Sequence, residues 1–180
     1  MSWIWKLLTE NPKAASKVRA EAAEVLSGRA PSFEDLGALE YTGRVIQEAM
    51  RLYPPVWIFE REALSDGEIG GYHVPKGTIV AACPWTLHRN PRLWDNPLSF
   101  DPDRFLPERS AGRHRYAYVP FGAGPRICIG NNFALMEAKI ILAMLIQRFD
   151  IRVTDPHNVR TDPGVTLRPK HGMPARIYAM

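Results

Sequence analysis

The sequence predicts a mainly helical chain with small β-sheets, an α+β architecture, and three observations carry that expectation. Apolar residues recur at a 3.6-residue spacing in the first 52 residues and again after residue 131. Between these segments stand short β-type runs, set off by Asp66-Gly67, Gly70-Gly71 and Lys76-Gly77 turns. The 16 prolines and 13 glycines assign much of the middle of the chain to loops.

The elements follow in order. Trp3-Ile4-Trp5-Lys6-Leu7-Leu8 predicts the end of an apolar helix. Asn11-Pro12 restarts the helix, with Asn as N-cap and Pro at the first helical position. Ala15, Val18, Ala22, Val25 and Leu26 form its stripe, and Gly28 is expected to stop it. Ser32-Phe33-Glu34-Asp35 predicts a short capped turn. A firmer helix is expected from Tyr41 to Leu52, with Val45, Ile46, Ala49, Met50 and Tyr53 toward the core and Pro54-Pro55 as its stop. Val56–Phe59, Tyr72–Val74 and Thr78–Ala82 are strand candidates. Pro91 to Pro125 shows little periodicity, and a tract of that length without regular elements points to function. Asn131 or Asn132 is expected to cap a long helix to Arg148, with Leu135, Ala138, Ile141, Leu142, Leu145 and Ile146 apolar. The tail offers strand candidates at Ile151–Val153, Val165–Leu167 and Arg176–Tyr178.

A length of 180 residues supports one domain with its own core, and 46% hydrophobic with 23% charged residues excludes a disordered or collagen-like chain. We divide residues 1–180 into a helical part (1–55), a small sheet (56–90), an irregular tract (91–130), a long helix (131–149) and short tail strands (150–180). The net charge of +4 is unevenly spread. Residues 1–103 hold 11 basic and 14 acidic side chains, net −3, whereas residues 104–180 hold 12 and 5, net +7. This is either an unevenly charged surface or a docking face for an acidic partner. The basic residues share no periodic face and no nucleic-acid-binding motif appears, which argues against nucleic acid as partner. Two cysteines make no disulfide scaffold and indicate a reducing compartment. The run Ser2–Leu8 is too short to span a bilayer and lacks the pattern of a secretory signal, so a cytoplasmic location is expected.

The most informative segment is Phe121-Gly122-Ala123-Gly124-Pro125-Arg126-Ile127-Cys128-Ile129-Gly130. Its glycines let the backbone turn sharply and approach a flat ligand closely. Cys128 stands just ahead of a helix start, where the positive helix end favours a thiolate. An arginine fork at Arg126 suits a carboxylate on whatever Cys128 binds. One thiolate without neighbouring cysteine or histidine ligands cannot build a tetrahedral zinc site. It can serve as the single axial ligand of a haem iron, with arginine answering the propionates. A lone cysteine is otherwise a small buried hydrophobe.

The pattern Phe-Gly-x-Gly-x-Arg-x-Cys-x-Gly over 121–130 resembles the haem-binding signature of the cytochrome P-450 family of haem-thiolate monooxygenases. The resemblance implies haem b (iron protoporphyrin IX) as cofactor and Cys128 as the iron ligand. It implies further that Phe121 packs beside the sulfur, that Arg126 meets a propionate, and that Gly122, Gly124 and Gly130 belong to the cradle. Glu48 and Arg51, one helical turn apart, are by spacing alone an ordinary surface pair, worth about 0.2–0.5 kcal/mol. They are also similar to the family's Glu-x-x-Arg helix, and Pro102-Asp103-Arg104-Phe105 resembles the tetrad whose arginine joins that pair, with Asp in place of Glu. Glu48, Arg51 and Arg104 are therefore expected to form a buried charged cluster that anchors the irregular tract. Arg61 matches a propionate-binding arginine on the family's first sheet, or is a surface arginine. His88 falls in a segment where the family uses histidine structurally, and Cys83 matches no ligand and is expected to be a small buried residue. Val56, Trp57, Ile58, Val165 and Thr166 fall where family members line the substrate pocket, or else belong to the core.

The resemblance covers the C-terminal part of the family's fold, from the end of the long distal helix onward. No Ala-Gly-x-x-Thr segment of the oxygen-activating helix occurs in residues 1–180. The expectation is a truncated haem-binding part of a monooxygenase that inserts one oxygen atom of O2 into an apolar substrate, inactive alone. An acidic ferredoxin, flavodoxin or reductase domain would supply electrons at the basic part. The alternative is a non-catalytic haem-binding or protein-association module that pairs through bare apolar surface.

Overall fold

A computed structural model describes residues 1–180, and it is a mixed structure of helices and small antiparallel sheets. Helices α1 (Ser2–Glu10), α2 (Pro12–Leu26), α3 (Glu40–Leu52) and α6 (Asn131–Arg148) enclose the core. Short helices α4 (Pro84–Leu87) and α5 (Pro107–Ser110) lie in the connecting tract. The strands are β1 (Phe59–Glu62), β2 (Gly67–Ile69), β3 (Tyr72–Val74), β4 (Ile79–Ala82), β5 (Phe149–Val153), β6 (Thr161–Pro163), β7 (Leu167–Pro169) and β8 (Ala175–Ala179).

The core is apolar and helical. Leu7 and Leu8 of α1, Val18, Ala22 and Leu26 of α2, Val45, Ile46 and Ala49 of α3, and Leu142, Ala143 and Ile146 of α6 form one buried cluster. These positions are the helical stripes of the sequence, facing inward to remove apolar area from water. Pro12 opens α2 at its first position, and the left-handed cap that closes it falls on Ser27, at φ 48°, one residue before Gly28. The amino end of α3 is capped from a distance: Glu21 of α2 accepts from Tyr41 N–H at 2.5 Å and from Thr42 N–H at 2.8 Å. A carboxylate there satisfies two orphan donors and meets the positive helix end.

The strands form four two-stranded antiparallel ladders, two of them nested inside the others. β2 pairs with β3 between the partners β1 and β4, and β6 pairs with β7 between β5 and β8. β5 and β8 zip together over five pairs, from Phe149 opposite Ala179 to Val153 opposite Ala175.

Several expectations need correction. Val56, Trp57 and Ile58 lie outside any strand and the ladder begins at Phe59; the backbone before it bonds elsewhere, the Pro55 carbonyl accepting from Leu167 N–H at 2.8 Å and the Trp57 carbonyl from Trp85 N–H at 3.2 Å. Gly130, not Asn131 or Asn132, is the N-cap of α6, and the Asn131 carboxamide instead accepts from the Asn132 N–H at 2.6 Å. Helix α6 buries only Leu142, Ala143 and Ile146, while Leu135, Ile141 and Leu145 are half-buried. Its apolar residues run around most of the circumference, so periodicity does not select the inward face. Val165 lies between β6 and β7 and is exposed, which removes it from the core. No helix is long and apolar enough to cross a membrane.

Candidate functional site

The charged cluster is buried and fully bonded at Arg51. Glu48 and Arg51 are fully buried and Arg104 is 3% exposed. Arg51 grips Glu48 with two parallel bonds, Nε to Oε2 at 2.7 Å and Nη2 to Oε1 at 2.9 Å. Its remaining donors reach the carbonyls of His88 and Pro97, both at 2.7 Å, and of Ser99 at 3.1 Å. All five guanidinium N–H groups are thereby used. Arg104 donates from Nε to Glu48 Oε1 at 2.9 Å and from Nη1 to the Asp95 carbonyl at 2.9 Å. The Asp101 N–H adds a further bond to Glu48 Oε1 at 2.9 Å. Two arginines answer one carboxylate, and backbone carbonyls of residues 88–99 supply the rest of the negative potential. Asp103, the residue that stands for Glu in the tetrad, faces outward to Lys17 at 3.3 Å and Arg44 at 3.6 Å.

The cysteine loop stands open. Cys128 is free and exposed, so its sulfur is not sealed in packed hydrocarbon. The Cys128 N–H donates to the Phe121 carbonyl at 2.9 Å, which closes the loop into a compact bend. Gly122 and Gly124 take φ of 76° and 70°, a left-handed conformation that a Cβ would strain. Gly130 has φ −88° and is placed differently: a Cβ there would stand 3.9 Å from the Cys128 sulfur. Phe121 is half-buried beneath the loop, and Arg126 is exposed at the end of the short turn Gly124–Arg126. Apolar side chains near Cys128 in the chain are uncovered, with Ile127 50%, Ile129 102% and Phe133 65% exposed. An accessible soft ligand, an arginine and a bare apolar rim suit a flat apolar macrocycle with acidic substituents.

Arg61 is exposed on β1, lies over the Phe59 ring at 5.5 Å and donates to the Glu60 carbonyl at 2.6 Å. No hydrogen bond or ion pair links it to the cysteine loop. Cys83 is half-buried and donates its S–H to the Trp57 carbonyl at 3.3 Å. The segments of Val56–Ile58 and Val165–Thr166 are brought side by side. Leu167 N–H donates to the Pro55 carbonyl at 2.8 Å, and Trp57 Nε1 donates to the Gly164 carbonyl at 2.9 Å. Val56, Val165 and Thr166 there are exposed, and Trp57 and Ile58 half-buried.

His88 is fully buried, and its ring joins the cluster to the loop: Val119 N–H donates to its Nε2 at 2.9 Å. Sequence spacing gave no sign of this bond, which spans 31 residues. Burial, with the positive charges of Arg51 and Arg89 nearby, pushes the imidazole down to about 4 from its usual 6.5. The unfolded chain therefore takes up a proton that the folded one refuses between these values. The stability that His88 contributes is complete above pH 6.5 and lost as pH falls toward 4, an expected loss of about 3 kcal/mol. Urea unfolding at pH 7, 5.5 and 4 checks this, with His88→Gln expected to flatten that part of the dependence.

A family model described as cytochrome P-450 matches residues 1–175. Cyclooctatin synthase of Streptomyces melanosporofaciens is 44% identical over 167 residues, covering 93% of this chain and 36% of that protein. Cytochrome P-450 132 of Mycobacterium tuberculosis is 42% identical over 173 residues, covering 96% of this chain and 37% of that protein. Cytochrome P-450 4V2 of Mus musculus is 44% identical over 179 residues, covering 96% of this chain and 34% of that protein. The chain thus spans about a third of the length of the curated relatives it matches.

Proposed function

The chain belongs to the cytochrome P-450 family, whose cofactor is haem b and whose general activity is haem-thiolate monooxygenation, and on that premise we propose that it carries the thiolate side of such a haem site. Residues 1–180 would form the C-terminal portion of the fold, from the end of the distal helix onward, within a single partial domain. The observation that carries this reading is the open bend at Cys128, with an accessible thiol beside uncovered apolar side chains. Cys128 would hold the iron, Arg126 and Arg61 would pair with propionates, and Phe121 would support the sulfur's side of the loop. Gly122 and Gly124 would let the backbone bend beneath the ring, and Gly130 would leave room beside the sulfur. Ile127, Ile129 and Phe133 would exclude water from the macrocycle's edge. When bound, haem supplies activation of O2 and insertion of one oxygen atom into an apolar substrate.

Val56–Ile58 and Val165–Thr166, joined through Pro55 and Gly164, would form one wall of the substrate cavity. The basic part of the chain would receive an acidic ferredoxin, flavodoxin or reductase domain, in the cytoplasm. Lacking the Ala-Gly-x-x-Thr segment, residues 1–180 alone would bind haem without turning over substrate. A second reading, a non-catalytic association module, draws on the same exposed apolar rim.

Haem titration decides between them. Reconstituted haem, reduced and exposed to carbon monoxide, is expected to give the red-shifted Soret band of a thiolate-ligated iron. The measurement is made with the chain alone and with the upstream part of the enzyme supplied. If neither preparation yields that band, the thiolate reading fails and the association module is favoured.

A further inference from the structure

His88 follows α4 and sits between two structures that the chain keeps far apart in sequence. On one side its carbonyl accepts from Arg51 Nη1 at 2.7 Å, which ties it to the Glu48 cluster. On the other its ring Nε2 accepts the Val119 N–H at 2.9 Å. Val119 stands two residues before Phe121, whose carbonyl accepts the Cys128 N–H at 2.9 Å. An unbroken path of short bonds and backbone therefore runs from Glu48 through Arg51, His88 and Val119 to the sulfur-bearing residue.

The protonation of the ring is dictated by its partner. An amide donor at Nε2 requires a lone pair there, so the neutral ring carries its proton on Nδ1. Nδ1 is buried and makes no hydrogen bond of full geometry, although the Arg51 and Met50 carbonyls are close enough to favour a proton on the ring, and the rings of Tyr118 and Trp94 stand at 5.3 Å and 6.5 Å between centroids. A phenylalanine would fill similar space without a buried polar atom to satisfy. Imidazole in this place is explained by the bond its other nitrogen makes. Packing alone does not call for it.

We propose that His88 is a positioning residue for the cysteine loop: its Nε2 hooks the Val119 amide and so sets the Phe121–Cys128 bend from the buried cluster. Without the hook, Val119 N–H would lose its acceptor, and the chain leading into the bend would be held by the Tyr118 hydroxyl bond to the Gln47 carbonyl at 2.9 Å, the burial of Ala117 and Val119, its proline and local turns, with no side-chain acceptor for its amide. The consequence for haem rests on the thiolate reading above, whereas the hook itself does not.

The test compares His88→Gln, His88→Asn and His88→Leu with the unchanged chain. A glutamine amide oxygen reaches the place of Nε2 and can accept from Val119, whereas asparagine reaches only the place of Nδ1. Amide hydrogen exchange is followed at Val119 and Cys128 without haem. In His88→Leu and His88→Asn both amides are expected to exchange about tenfold faster, the worth of one net hydrogen bond, and His88→Gln is expected to restore protection. With haem bound, the red-shifted carbonyl band is expected to lose amplitude to an unshifted one in the first two variants and to recover in the third. Should His88→Leu fail to fold, the contrast between Asn and Gln decides alone. Equal exchange in Asn and Gln, or unchanged protection of Val119 in Leu, overturns the hook. If the unchanged chain never shows the shifted band while exchange responds as described, the thiolate reading has failed and the hook stands.

Discussion

Replacing Glu48 with glutamine is expected to destabilise the folded chain by about 3–5 kcal/mol, the range for removing one member of a buried ionic set. Glu48 Oε1 accepts from Arg51 Nη2, Arg104 Nε and Asp101 N–H, and Oε2 accepts from Arg51 Nε. Glutamine keeps the volume but cannot accept all four, because one of its two atoms is a donor. Two buried guanidinium groups would then face each other without a counter-charge. The carbonyls of residues 88–99 would still accept their N–H groups, but carry only partial charges. Because those carbonyls fix the tract that leads to Phe121, the loss should reach beyond α3. Urea unfolding at pH 7 measures it, and a change below about 1 kcal/mol would show that the cluster does not anchor the tract.

Cys128→Ser is expected to have the opposite profile, with no effect on folding and a complete effect on the haem. Cys128 is exposed and its N–H bond to the Phe121 carbonyl involves only backbone. A surface change of one atom should leave stability within about 0.5 kcal/mol. Serine at neutral pH is a neutral, hard oxygen, and a haem iron loses the soft anionic donor that shifts the carbonyl Soret band. The red-shifted band is expected to vanish entirely while the unfolding midpoint stays. A retained band would sink Cys128 as iron ligand, and a collapsed fold would mean that the side chain has a structural role its exposure does not explain.

Helices α2 and α3 were legible in the sequence because each has a one-sided apolar stripe and a proline at a start or stop. The helix ends were less so. The α3 cap comes from Glu21, a partner of Tyr41 across 20 residues, and no local rule selects it. The strand start failed at Val56, where the ladder begins only at Phe59, since β-type side chains do not reveal whether a backbone has a pairing partner. The cysteine loop was legible because its chemistry is local: glycines, arginine and cysteine at fixed offsets. Glu48, Arg51 and Arg104 were expected as a buried cluster through the family resemblance, whereas their spacing alone made the first two an ordinary surface pair. The acceptors that make their burial tolerable are backbone carbonyls of His88, Asp95, Pro97 and Ser99, which any residue could provide. The bond from Val119 to His88 escaped for the same reason, as half of it is an amide.

The nesting of one hairpin inside another carries a consequence for how such a molecule can diversify. β5 and β8 lock the stem of the tail residue by residue, and the β6–β7 hairpin springs from that stem with its tip at Gly164-Val165. Lengthening or retailoring the tip changes what lies beside Trp57 while the stem holds its register, since loop length adds little closure entropy. The helical layer, whose contacts with the stem run through α1 and α6, need not adjust. One frame can in this way carry many differently shaped tips, each altered at a fingertip and none at the wrist.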